Sequence, residues 1–243
     1  MWSGEVTMRP SAITLYGSIG TAGLHAYHWG QVLMARKGEM ILANAAGKMA
    51  TCRTAVILPG VHHAIVRGTT DGSIIVFPAE SAGGCELARS PSPPDSPEAW
   101  ARAGAAIADR LDNIEQWAQH LSLPPPPPTE PPRHPAVEMT LRLLPDRIQE
   151  GSVRLRDISQ DVGLSESRLA HLFSAQVGLA FRPYVRSLRV TRAIELAAQG
   201  HSLTEAAYEA GFADSAHLTR SCHVTIGIAP TVLTTRFQIT LEP

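Results

Sequence analysis

Four residues near the C-terminal end, Ser215, Ala216, Thr219 and Arg220, follow one another at spacings of one, three and one. On a helix those steps share one face, and Leu218 and Cys222 fall on the opposite, core face. An arginine on such a face can bond guanine O6 and N7 together. Small neighbours permit close approach to a base edge or contact with a thymine methyl group. A comparable face carries Ser167, Ala170 and His171, with Arg168 beside it, while Leu169, Leu172 and Phe173 take the core side. A third group, His25, Tyr27, Gln31 and His63, offers imidazole, phenol and amide. His25, Gln31 and His63 could ligate a transition metal, could line a polar pocket for a small effector with Tyr27, or could be plain barrel residues.

What positions the first two groups is a repeat. "LRDISQDVGLSESRLAHLFSAQVG" (155–178) and "LTEAAYEAGFADSAHLTRSCHVTIG" (203–227) each give a short helix, a glycine with one large apolar residue, a polar cap and a second helix. Gly163 and Gly211 can take the left-handed conformation that closes a helix. Leu164 and Phe212 then turn back into a core, and Ser165 and Asp214 cap the next helix. Ser202 with Glu205 makes a capping box. This is helix-turn-helix syntax, in which a tight corner sets the second helix steeply against the first so that it can enter a major groove. Two copies carry far more weight than one. The segment between them, "FRPYVRSLRVTRAIELAAQG", holds an apolar stripe of Leu188, Ala193, Ile194, Leu196 and Ala197. It also concentrates Arg182, Arg186, Arg189 and Arg192.

Upstream, proline clusters at 91–97 and 124–135 divide the chain, since proline runs favour extended spacers. The part before them reads as short strands, with turns expected at Lys37-Gly38, Ala46-Gly47, Pro59-Gly60 and Asp71-Gly72. Alternation places His25, Tyr27, Trp29 and Gln31 on one strand face and His28 on the other. Between the clusters, Trp100, Gly104, Ile107, Leu111, Ile114, Ala118 and Leu121 form an a/d seam. It fits a helix packed on the barrel, a dimer coiled coil, or both. From about His134 the chain reads as helical. The expected divisions are a sensor at 1–90, a helix at 98–122, a linker at 123–134 and a helical domain at 135–238.

The whole chain of 243 residues carries a net charge of −1 and is 44% hydrophobic, enough for two cored domains. From Arg133 onward there are 12 arginines, no lysine and 11 acidic residues, so phosphate attraction by one copy would be weak. No apolar run suits a membrane span, and the first ten residues lack a signal-peptide core. Cys52, Cys85 and Cys222 are scattered without metal spacing, which fits a reduced cytoplasmic protein.

The region from about Pro135 to Phe237 resembles the DNA-binding domain of the AraC/XylS family of bacterial transcription regulators. That family's pattern A-x-x-x-G-F-x-D, then Arg, then G-x-x-P is met by Ala207, Gly211, Phe212, Asp214, Arg220, Gly227 and Pro230. Cys222, Ile226 and His223 depart from it, standing where Phe, Phe and a basic residue are usual. "PGVHHAI" and "HAYHWGQ" in turn resemble a cupin, a small β-barrel that many such regulators carry as a sensor. His25, Gln31 and His63 match metal-ligand positions there, but Tyr27 stands where a second histidine belongs. The resemblance implies an N-terminal cupin-like β-barrel, a linker helix and an all-α domain with two helix-turn-helix motifs. It implies a cytoplasmic regulator rather than an enzyme, with double-stranded DNA, a small-molecule effector, a second copy of the chain and RNA polymerase as partners. A transition metal at the cupin is its one candidate cofactor. A metal-dependent cupin enzyme with a helical appendage, or an interaction protein that has lost DNA binding, are the rival readings.

Overall fold

The computed structural model describes residues 1–9, 12–78, 95–108, 133–151 and 153–242. The chain forms two compact units, Met1–Pro126 with Cys222–Pro243, and Pro127–Ser221.

The first unit is built on strands β1 (Ser3–Arg9), β2 (Ala12–Ile19), β3 (Ala22–His25), β4 (Gly30–Ala35), β5 (Met40–Asn44), β6 (Met49–Cys52), β7 (Thr54–Ile57), β8 (His63–Arg67) and β9 (Thr69–Phe77). Six strands make one sheet in the order β10-β1-β2-β9-β4-β7, where β10 is Phe237–Leu241, and four make another in the order β3-β8-β5-β6. Neighbouring strands pair antiparallel except β1 and β10, which run parallel. Gly38, Gly47 and Gly60 adopt positive φ at three of the expected turns. The fourth expectation is corrected. Asp71-Gly72 lies inside β9, where Gly72 pairs with Gly17 on one side and Ala35 on the other. The break between β8 and β9 falls at Gly68 instead.

Helix α1 (Pro97–Ile107) starts from a Ser96 cap with proline in its first turn, where a missing N–H costs nothing. Its seam residues Trp100, Gly104 and Ile107 are buried. Ile107 joins Val32, Val56, Ile75 and Phe77 in one apolar cluster. A Cβ on Gly104 would lie 2.3 Å from the Thr54 carbonyl oxygen, so the glycine permits the helix to approach β7. The β unit therefore covers the seam at Trp100, Gly104 and Ile107. Leu111, Ile114, Ala118, Leu121, Cys85 and residues 91–94 and 124–132 of the proline clusters lie outside the described residues.

The second unit contains α2 (Pro135–Gln149), α3 (Leu155–Asp161), α4 (Glu166–Val177), α5 (Phe181–Ala198), α6 (Leu203–Glu209) and the start of α7 (Ser215–Ile226). Helix α8 spans Pro230–Arg236. The expected all-helical end is corrected too, because "FQITL" (237–241) is strand β10. Its Phe237, Ile239 and Leu241 alternate with polar residues, a strand pattern too short to read without its partner. The expected boundary at 238 thus differs from the division in the structure, where residues from Cys222 onward pack with the strands.

Candidate functional site

The two corners close by the same hydrogen bonds. After α3, Gly163 N–H donates to the Gln160 carbonyl at 3.2 Å and Leu164 N–H to the Ser159 carbonyl at 2.9 Å. After α6, Gly211 N–H donates to Tyr208 at 3.0 Å and Phe212 N–H to Ala207 at 2.8 Å. These paired bonds define a Schellman motif, which needs a left-handed residue; φ is +68° at Gly163 and +81° at Gly211. Polar caps then start the next helices. Ser165 Oγ accepts from Arg168 N–H at 3.3 Å, and Asp214 Oδ1 accepts from His217 N–H. The capping box of Ser202 and Glu205 is complete. Each corner thus leads a seven-residue helix into a twelve-residue one.

The core sides are as the periodicity requires, with Leu169 and Phe173 fully buried and Leu172 half-buried. Phe173 packs edge-on against Phe181 and Tyr184 with centroids 5.6 and 5.2 Å apart. Leu218 and Cys222 are buried as well. Burial pushes the Cys222 thiol up to about 12, so it is an inert core group. On the opposite faces Ser167, Arg168 and His171 are exposed and Ala170 is half-buried. Ala216 and Arg220 are exposed, while Ser215 and Thr219 are half-buried. Thr219 Oγ1 donates to the Ser215 carbonyl at 2.9 Å, which leaves its methyl group and the Arg220 guanidinium as the projecting chemistry.

The arginines of α5 do not form one positive face. Arg189 is a strut: its guanidinium donates to the Gly211 carbonyl at 3.1 Å and to the Gly151 carbonyl at 3.0 Å. It ties the second corner to the end of α2. Sequence reasoning grouped Arg189 with its neighbours by charge. The signal that separates it is its place between Val185 and Ala193 at steps of four, in line with the buried stripe. Arg192 pairs with Glu195 at 3.5 Å, Arg186 is half-buried and Arg182 is exposed.

In the β unit, His25 ends β3 and His63 begins β8, and the antiparallel register sets them opposite one another. Their ring centroids are 4.1 Å apart and both are buried. His25 Nδ1 donates to the Gly23 carbonyl at 2.7 Å and His63 Nδ1 to the Val61 carbonyl at 3.0 Å. With Nδ1 protonated, each Nε2 carries a lone pair, and His63 Nε2 is buried with no partner among the described residues. Burial lowers His25 to about 4, and burial with the neighbouring His25 holds His63 well below the ordinary histidine range. Trp100 of α1 stands edge-on to His63 at 6.2 Å.

Tyr27 and Gln31 are buried too, but the single strand face expected for His25 to Gln31 does not exist. The chain leaves β3 after His25 and enters the other sheet at Gly30. Gln31 therefore lies on β4 opposite Ile57 and Val76. His28, placed on the opposite strand face by alternation, is 3% exposed and held near pKa 3 by burial. Among the described residues no group of three His, Cys, Asp or Glu could hold a metal ion. Nor is any helix there long and apolar enough to cross a membrane.

Comparison with known proteins accords with the helical geometry. Residues 158–236 match a family described as a helix-turn-helix domain. Over 82 residues the chain is 32% identical to an uncharacterized HTH-type transcriptional regulator of Bacillus subtilis, YbfI, covering 34% of this chain and 30% of that one. Over 80 residues it is 35% identical to the regulatory protein ada of Salmonella typhimurium, covering 33% and 23%. The chain thus spans less than a third of the length of these relatives. The fold extends further. An apo structure of a ToxT variant from Vibrio cholerae matches at TM-score 0.57 and 11% identity, over 93% of this chain and 97% of that one. Wild-type ToxT bound to an unsaturated fatty acid matches at 0.58 and 12%, over 93% and 96%. The fold they share with this chain is a β-rich N-terminal part followed by a helical C-terminal part. Within the helical part, residues 158–236 are thus similar to a helix-turn-helix domain family.

Proposed function

We propose that the chain is a sequence-specific transcription regulator that reads double-stranded DNA with α4 and α7 and is controlled by a small molecule in a cupin-like β unit. The observation that carries this reading is the duplicated corner, closed twice by the same bonds and followed twice by a capped helix with a polar, uncluttered outer face. Arg220 is the base-reading side chain, with Ser215, Ala216 and Thr219 shaping its approach. Ser167, Arg168, Ala170 and His171 are their counterparts on α4. The domain's near-neutral charge supports a second copy of the chain as partner, since two sets of contacts raise the effective affinity. RNA polymerase and the cytoplasm are the setting such a regulator requires.

For the effector, His25 and His63 present acceptors inside an apolar surround that includes Trp100. That chemistry favours a molecule bringing a hydroxyl, amine or protonated carboxyl donor to Nε2. Two imidazoles with no third His, Cys, Asp or Glu beside them among the described residues support this over a resident metal. One ToxT structure holds an unsaturated fatty acid, which supports looking among small acids first.

The test is a mobility-shift titration of the full chain on DNA from upstream of its own coding region, against a scrambled duplex, at two salt concentrations. Preference for the upstream fragment at both is expected. Equal affinity for both duplexes would remove the sequence-specific reading.

A further inference from the structure

We infer that the C-terminal segment from Cys222 to Glu242 is a latch that carries the state of the His25 site to the end of helix α7. The role of α7 as a reading helix rests on the function proposed above; the latch itself rests on contacts within the β unit.

The latch has an outer and an inner fastener. Outside, β10 pairs with β1 in register from Gly4 opposite Phe237 to Met8 opposite Leu241. The Glu242 N–H extends the pairing to the Met8 carbonyl at 2.9 Å, and Arg9 meets the Glu242 carboxylate at 2.8 Å. Inside, Gly23 N–H donates to the Gly227 carbonyl at 2.9 Å and Ala26 N–H to the Val224 carbonyl at 3.1 Å. The two are joined through Trp2, whose ring lies 6.3 Å from that of Phe237 and whose indole N–H donates to the Thr21 carbonyl at 2.8 Å.

The inner fastener is built around His25. The same short strand that offers Gly23 N–H to Gly227 has its Gly23 carbonyl held by His25 Nδ1. Gly227 ends α7 at φ +78°, and a Cβ there would lie 2.6 Å from His25 Nδ1. The imidazole thus rests directly on the residue that closes the helix. A ligand that draws His25 toward Nε2 and His63 must shift Gly23, and with it the carbonyls of Gly227 and Val224. The seated state also carries a cost that release would remove. Thr225 is 1% exposed, and its hydroxyl has no partner among the described residues. A seated end that is held by several bonds yet strained by one buried hydroxyl suits an element with two arrangements.

Amide hydrogen exchange on the full-length chain tests this. A His25→Leu variant keeps the volume and loses the Nδ1 donor. Exchange in residues 222–230 should become at least about ten-fold faster while residues 166–177 of α4 keep their wild-type rates, the sign of local rather than global opening. Unchanged rates in 222–230, or equal acceleration in both segments, would overturn the latch. A Glu5→Cys/Gln238→Cys chain, altered at two exposed positions that pair in register, covers the case in which His25→Leu does not fold. Oxidation should slow exchange in 222–230 and at Gly23 and Ala26; equal rates in the oxidised and reduced chains would sink the idea. A protein that shows the coupling but binds no DNA would refute the proposed function and leave the latch standing.

Discussion

The helical unit and the β unit treat polar side chains in opposite ways. In the helical unit they are used on the fold: Ser165, Ser202, Glu205 and Asp214 cap helices, and Arg189 braces two turns. Most of what is left over points outward, as Arg168, His171 and Arg220 do, and the buried atoms without a partner among the described residues are confined to the Nε edges of Arg186 and Arg189. In the β unit three imidazoles are taken inside, and one ring nitrogen of His63 is left there with no partner among the described residues. Buried polar capacity without a partner is costly, and in the β unit it falls on a whole imidazole edge that faces a second imidazole. The contrast separates a unit whose chemistry is displayed from one whose chemistry is enclosed.

The largest effect should come from the apolar centre of the helical unit. Phe173 is fully buried between Phe181 and Tyr184 in the cluster that also holds Val137, Leu144, Ile158 and Leu169. Phe173→Ala should cost about 3–5 kcal/mol, read as faster exchange throughout α2 to α5. A loss under about 1 kcal/mol would mean that the aromatic stack is not what holds the first corner.

Acid should act on the other unit. The folded-state values of His25, His28 and His63 are all depressed by burial, so as pH falls the unfolded chain takes up protons first. Stability is then complete above about pH 6.5, the ordinary histidine value, and is lost progressively below it, down to about pH 4 for His25 and about pH 3 for His28. His25 alone, lowered to about 4, corresponds to a loss on the order of 3 kcal/mol across that window. Urea midpoints measured from about pH 7.5 to about pH 4.5 in the presence of a chelator should fall, with β-unit amides losing protection before those of α4. A flat profile would show that the imidazoles are hydrated.

How far these features could be read in advance follows the same division. The corners were legible because their chemistry is local: a glycine, the apolar residue after it and a cap lie within a few positions. Arg220 and the Leu218 side of α7 followed from the helical period alone. The histidine pair was half legible. His25 and His63 were picked out by type, but their contact depends on β3 pairing with β8, and Gln31 was misplaced because no local signal marks the chain crossing between sheets after His25. Strand β10 was not legible, since "FQITL" acquires meaning only against β1, at the far end of the sequence. Asp71-Gly72 misled for the complementary reason. It has the composition of a turn, but the sheet uses Gly72 for close packing, where a Cβ would lie 2.5 Å from the Met34 carbonyl oxygen.

On the displayed side of the comparison, Arg220→Ala should leave folding unchanged, because the side chain is exposed and the core face of α7 is carried by Leu218 and Cys222. Binding to the cognate site should weaken by roughly 5- to 150-fold, the loss of one bidentate base contact worth about 1–3 kcal/mol. Preference should relax at one base pair. A uniform loss on all sequences would make Arg220 a phosphate anchor, and a lowered melting temperature would make it structural.

The smallest effect, and the one that bears most directly on the enclosed side, is His63→Leu. Two terms oppose each other. The variant gives up the Nδ1 bond to the Val61 carbonyl, worth about 1 kcal/mol net. It also removes a buried Nε2 that has no partner among the described residues, a burden of about 1–3 kcal/mol by mutational measures. Leucine is apolar and close to histidine in volume, so it should sit beside Trp100 without a void. The balance favours the variant by about 1 kcal/mol, and it should no longer lose that residue's share of stability in acid. A stabilised protein that has also lost its response to effector would fit a histidine retained for what it binds. A variant destabilised by more than about 1 kcal/mol would show that Nε2 already has a partner of its own, such as an ordered water, and that the polarity enclosed by the β unit serves its fold.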